Sequence, residues 1–229
     1  MSPESNQNIL KFLEEKISLK QEVLDNSKAV FDEMKQQLSQ IASQYKSPVK
    51  NISKDLVTSF RVTGDFEAEL VLADETLIFS LHTNIFTFDN SHEIWKTKYV
   101  KQDVNRAYCG KIFIYNFLTD SFRYNRINDV GYLIARIFIN KEKHFFIEGE
   151  KQLGNLYSDF STSMLDSENI HKIIEAAIFY SLNFDPFTPP FEKMEEISVR
   201  DILDASIQSR IATGKRLGFQ FNESSDEGQ

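Results

Sequence analysis

The stretch 110-GKIFIYNFLTDSFRYNRINDVGYLIARIFINKEKHFFIEGE-150 decides the fold. Aromatic and β-branched residues dominate it, and short polar connectors, "TD", "NDVG" and "NKEK", divide it into runs of strand length. Four strands follow: Lys111–Leu118, Ser121–Ile127, Gly131–Asn140 and Lys143–Gly149. Working upstream, Phe66–Ala73 and Thr76–Phe88 flank a two-residue "DE" turn, and "DNSH" precedes Glu93–Val100. Seven strands joined by short turns predict an antiparallel meander, either an open curved sheet or a partial barrel.

Helices are expected on both flanks. Leu10, Leu13, Ile17, Leu24, Phe31, Met34, Leu38, Ile41 and Tyr45 fall on alternating spacings of three and four, with Lys20 and Ser27 as polar interruptions. Pro48 is read as the end of that run. As one helix, Ile9 to Tyr45 would measure roughly 55 Å, against about 45 Å for a compact body of this size. The helix therefore protrudes or breaks, and "DNSK" at 25–28 is the preferred break, with Ser27 as a cap for the second half. Downstream, "DSENIHKIIEAAIFYSL" sets Ile170, Ile173, Ile174, Ala177 and Ile178 on one face, and a second helix starts at Ser198. The fold class is thus α+β. Residues 1–50 form the helical segment and 51–220 the α+β domain, with the meander at 66–150 and C-terminal helices within 155–212. Residues 221–229 form a disordered acidic tail, and the whole is one structural unit.

Composition narrows the function classes. The 229 residues are 41% hydrophobic and 26% charged, with twenty Phe and eight Tyr, as a folded globular chain requires. No apolar run approaches the ~20 residues that span a bilayer, and no secretory signal is evident at the N-terminus. A single Cys109 forms no internal disulfide. A cytoplasmic protein is expected, without membrane, metal or cofactor. Net charge is −8, but residues 96–151 hold 11 Lys plus Arg against 6 Asp plus Glu, a local +5. The strand-rich middle is mildly basic between acidic flanks.

Motifs of known chemistry are incomplete. "KIFIYNFL" and "KHFFIEG" are spaced like the contacting strands of an RNA-recognition motif. The second run lacks its glycine, however, and strands stand where that family needs a helix, so nucleic acid is not the expected partner. "ATGKR" lacks the upstream glycine and the following Ser or Thr of a phosphate loop. "HEIWK" has Lys96 where a zinc helix needs its second His. His82, His92, His144 and His171 show no ligand spacing, and no nucleophile elbow is present. No catalytic group is recognisable.

Two candidate surfaces remain. With "TD" and "ND" as two-residue turns and "NKEK" as four, Phe113, Tyr115, Phe117, Phe122, Tyr124, Leu133, Ala135, Ile137, Ile139 and Phe146 share the core face. The other face gathers Asn116, Arg123, Asn125, Tyr132 and Arg136 above Phe138 and Phe145. That set would suit an anionic or planar small molecule, through bidentate guanidinium donors and stacking. The second surface is the helical stripe Leu10, Leu13, Ile17, Leu24, Phe31, Met34 and Leu38, which would bury its seam against a second copy or another protein. The long periodicity favours an interaction or adaptor module associating through its N-terminal helix, ahead of the ligand-binding module.

Overall fold

The computed structural model describes residues 3–53, 56–149, 153–154, 159–187 and 214–215. Helix α1, Pro3–Ile52, is continuous over 50 residues, about 75 Å. The expected break at 25–28 is absent. Ser27 is not a cap. Its hydroxyl donates to the Val23 carbonyl at 2.7 Å within the helix, and the residue is fully buried. Pro48 does not end the helix either. It removes one intrahelical hydrogen bond near the C-terminus, and the chain stays helical for four more residues.

Six strands follow: β1 (Thr58–Gly64), β2 (Glu67–Leu72), β3 (Glu75–Leu81), β4 (Gly110–Leu118), β5 (Tyr132–Ile139) and β6 (Phe145–Gly149). They lie in the order β1-β2-β3-β4-β5-β6, every neighbour antiparallel. β1 and β6 are both edges, so the sheet is open and not a barrel. The α+β meander is as expected, but two of the seven expected strands are not strands. Glu93–Val100 is a 3-10 turn (Glu93–Lys96) followed by α2 (Lys98–Gln102), and Ser121–Ile127 starts in the short helix α3 (Thr119–Arg123). Capping explains the first. The Thr97 hydroxyl accepts from Val100 N, and Asp103 accepts from Asn105 N to start a further 3-10 turn at Val104–Ala107. β1 is an additional strand, an edge whose outer half is exposed. The β2–β3 turn is Ala73–Asp74, one residue earlier than "DE". Leu72 pairs with Glu75, and Ala73 takes a left-handed φ of 58°.

One face of this sheet is covered by helices. The second half of α1 lays Val30, Phe31, Met34, Leu38, Ile41 and Ala42 onto it, beside α4 (Ser167–Leu182) with Ile170, Ile173, Ile174, Ala177 and Ile178. The strands answer with Ala68, Leu70, Leu72, Leu77, Phe79, Leu81, Ile112, Ile114, Ile137, Ile139, Phe145 and Ile147. Asp166 caps α4 by accepting from Asn169 N at 2.8 Å. The helix expected from Ser198 and the tail at 221–229 lie outside the described residues. Two-residue strands Pro186–Phe187 (β7) and Gly214–Lys215 (β8) pair with each other. On the opposite face, the β5–β6 end is covered. There Ile94, Tyr99, Val100, Ala107, Cys109, Phe138 and Phe160 form a second cluster with Phe88, Trp95 and Phe146.

The assignment of faces needs correction. The aromatic set Phe113, Tyr115 and Phe117 points away from the helices, and its neighbours Ile112, Ile114 and Asn116 point into the core. A bulge then reorders β5. Ile114 pairs with Ala135 and Tyr115 with Leu133, so Ile134 is extra and residues 135–139 swap sides.

Candidate functional site

The seven residues expected to line a ligand pocket are not on one face. Asn116, Tyr132 and Phe145 lie on the helix-covered side, where Asn116 is 1% exposed and Tyr132 packs on Phe184 with ring centroids 6.3 Å apart. Arg136 and Phe138 lie on the other side. Arg136 pairs with Glu148, and Phe138 stacks on Phe146 at 4.8 Å. Arg123 sits in α3, paired with Asp120 at 3.3 Å. Asn125 turns the following loop at a φ of 50°. An assumed strand at 121–127 had aligned them, and that strand does not form.

The outer sheet face carries a different basic and aromatic group, whose Phe113 and Tyr115 sequence reasoning assigns to the core. Phe113 and Tyr115 are stacked at 5.8 Å. The Lys111 ammonium lies 3.7 Å from the Phe86 ring centroid and 4.9 Å from that of Phe113. Burial, reinforced by Arg136, pulls the Lys111 pKa below its ordinary value. Its signal in the sequence was the alternation Lys111, Phe113, Tyr115, Phe117, which fits an outer face as well as a core.

A cleft of about 510 Å³ opens beside this region, lined by His92, Thr97, Tyr99, Phe146, Asp159 and Phe160 among others. Most of its polar groups are already engaged. His92 Nδ1 accepts from Ile94 N at 3.2 Å, and its Nε2 lies 3.8 Å from Glu148. Asp159 accepts from the Ser161 hydroxyl at 2.6 Å and backbone at 2.9 Å, which hold its carboxyl below the usual range. Behind it, Tyr99 donates to Glu142 at 2.7 Å and accepts from Asn140 Nδ2 at 2.9 Å, while Arg106 donates to Glu142 at 2.9 Å. Burial, with the Glu142 hydrogen bond, drives the Tyr99 pKa upward. Cys109 is buried, which pushes its thiol up and removes thiolate character. Among the described residues, no group of three His, Cys, Asp or Glu is placed to hold a metal, and no helix is long and apolar enough to cross a membrane.

The projecting half of α1 presents an exposed apolar surface. From Val23 onward the helix rests on its own molecule, and Asn26 Nδ2 donates to the Lys141 carbonyl at 2.6 Å. Before that, Lys16 reaches Tyr108 at 5.6 Å from its ring centroid. Leu10, Leu13 and Ile17 are 59%, 46% and 62% exposed, and Ile9 and Phe12 beside them are also open. The seven-residue stripe thus divides. Phe31, Met34 and Leu38 are consumed by the sheet, Leu24 is half-buried at the boundary, and Leu10, Leu13 and Ile17 remain free. Ile9 and Phe12 extend the free patch and were missed because they fall beside the main seam, although the spacing 9, 12, 13, 17 was there to read.

No protein family, curated protein or solved structure matches this chain.

Proposed function

We propose that this chain is a non-catalytic protein–protein interaction module, acting in the cytoplasm, whose contact surface is the projecting half of α1. The observation that carries the reading is the exposure of Leu10, Leu13 and Ile17 on a helix that stays continuous into its own core. Isolated helices rely on packing an amphipathic face for stability, and contiguous apolar patches mark interaction sites more often than bare solvent surface. The open side chains give each arm apolar surface of the kind that specific interfaces bury. A matching helix fits such a narrow stripe.

A second copy of the chain suits it by charge. Residues 3–22 hold three Lys and four Glu, a net −1, within a molecule of −8. With so little net charge, the arm adds little repulsion between two such molecules. Sedimentation velocity on the full chain, from micromolar to hundreds of micromolar, tests the reading. The wild type should shift from monomer towards dimer, and Leu10→Glu/Leu13→Glu/Ile17→Glu should remain monomeric with an unchanged unfolding midpoint. A wild type that stays monomeric throughout that range refutes association through the arm.

A further inference from the structure

The continuity of α1 constrains how two arms can meet, given the association reading above. Leu10, Leu13 and Ile17 lie about 60° around the helix from Phe31, Met34 and Leu38, three heptads on at a drift of ~20° each, so both sets share one half of its surface. On the second set the molecule's own sheet is already seated. In a parallel pair every residue faces its equivalent, so the partner helix beyond Val23 would run through the volume that this sheet fills. An unbroken 50-residue helix offers no point at which the two could splay apart. In an antiparallel pair the partner runs the other way, and its body lies beyond the first chain's Pro3.

The free length also selects a register. Placing Leu10 of one chain against Leu13 of the other sets the helix start, Pro3, beside Lys20. The overlap then ends three residues before Val23, which is fully buried. The flanking neighbours become Gln7 with Glu14 and Ile9 with Lys16, so no like charges face each other. Sliding by one heptad, with Leu13 against Ile17, would oppose Lys16 to Lys16 and Glu14 to Glu14. It would also drive Pro3 towards Ser27, where Gly110 already approaches so closely that an added Cβ would meet Ser27 Oγ at 2.0 Å. We propose that two copies of this chain pair antiparallel through residues 3–20, Leu10 against Leu13. The two Val23 positions then lie about 35 Å apart along the shared axis.

Pulsed electron paramagnetic resonance on the full-length chain tests this. Asn8→Cys and Glu22→Cys, both exposed and both on the side of α1 away from the stripe, carry the nitroxide in separate samples. Cys109 is buried and stays unlabelled. The antiparallel register places the two Glu22 labels farther apart than the two Asn8 labels by roughly 10–15 Å, from 1.5 Å of rise per residue. Equal distances at the two positions mean a parallel pair, which overturns the arrangement while leaving association through the arm standing. Loss of all intermolecular distances in a sample that sediments as a monomer overturns both.

Discussion

The crossing of α1 over β4 rests on one glycine, and its replacement gives a quantitative test of how the helix is seated. A Cβ at position 110 would lie 2.0 Å from Ser27 Oγ and 2.8 Å from Ser27 Cβ. Gly110 has no positive φ, so alanine there meets no backbone penalty and the whole cost is steric. Rotating the hydroxyl away relieves the first contact and breaks its bond to the Val23 carbonyl, but the second contact stays until the helix lifts by more than half an ångström. Overpacking of this kind costs about 1–3 kcal/mol, or about 2–12 °C in a chain of this length. Ser27→Gly alone should cost about 1 kcal/mol, the usual loss for glycine inside a helix. Ser27→Gly with Gly110→Ala removes the obstacle, so the double variant should be less destabilised than the two singles added together by at least about 1 kcal/mol. Ser27→Ala keeps its Cβ and should rescue little. Urea unfolding followed by helical circular dichroism and Trp95 fluorescence gives all four stabilities. Additivity of the two substitutions would show that α1 does not cross β4 here, and the division of the helix into a seated half and a free arm would fall with it.

Two further outcomes are expected. Asn116 is 1% exposed, and neither atom of its amide has a hydrogen-bond partner among the described residues. A buried amide left this way costs about 1–3 kcal/mol, so Asn116→Leu, beside Leu77 and Tyr132, should raise the unfolding midpoint, and a fall would reveal that the amide is satisfied in solution. The second concerns acid. The Lys141 hydrogen bond holds the Asp103 carboxyl below its usual range; burial alone would raise that of Glu142, but hydrogen bonds from Tyr99 and Arg106 outweigh it and also lower it. Carboxyls depressed on folding stabilise the protein above their unfolded pKa of about 4 and lose that contribution as pH falls through the lower folded value. The urea midpoint should therefore drop below about pH 4, and Asp103→Asn/Glu142→Gln should flatten that drop. An unaltered acid slope in the double variant would assign it to other groups.

What the sequence disclosed, and what it hid, follows from which signals are local. The stripe from Leu10 to Ile41 was legible because a helix repeats every 3.6 residues whatever lies beside it. Its polar interruptions were misread as a break, since Ser27 marks a close crossing that needs a small side chain, a fact that belongs to Gly110, 83 positions away. The turn connectors located β4, β5 and β6 well, whereas Glu93–Val100 was taken for a strand although Thr97 and Asp103 are spaced as caps. Sheet faces were the hardest part. Both sides of β4 are apolar, aliphatic at Ile112 and Ile114 and aromatic at Phe113, Tyr115 and Phe117, so a period of two groups residues correctly without naming the core side. The bulge at Ile134 then exchanged the sides of every later residue in β5, which separated Arg136 and Phe138 from Asn116 and dissolved the expected pocket. Residue-by-residue chemistry is a poor guide to a surface assembled across strands, because one unseen insertion reverses it. A surface carried on one helix has no such weakness. Leu10, Leu13 and Ile17 stay together under any arrangement of the sheet, and the only thing left to learn was where the sheet stops covering that stripe.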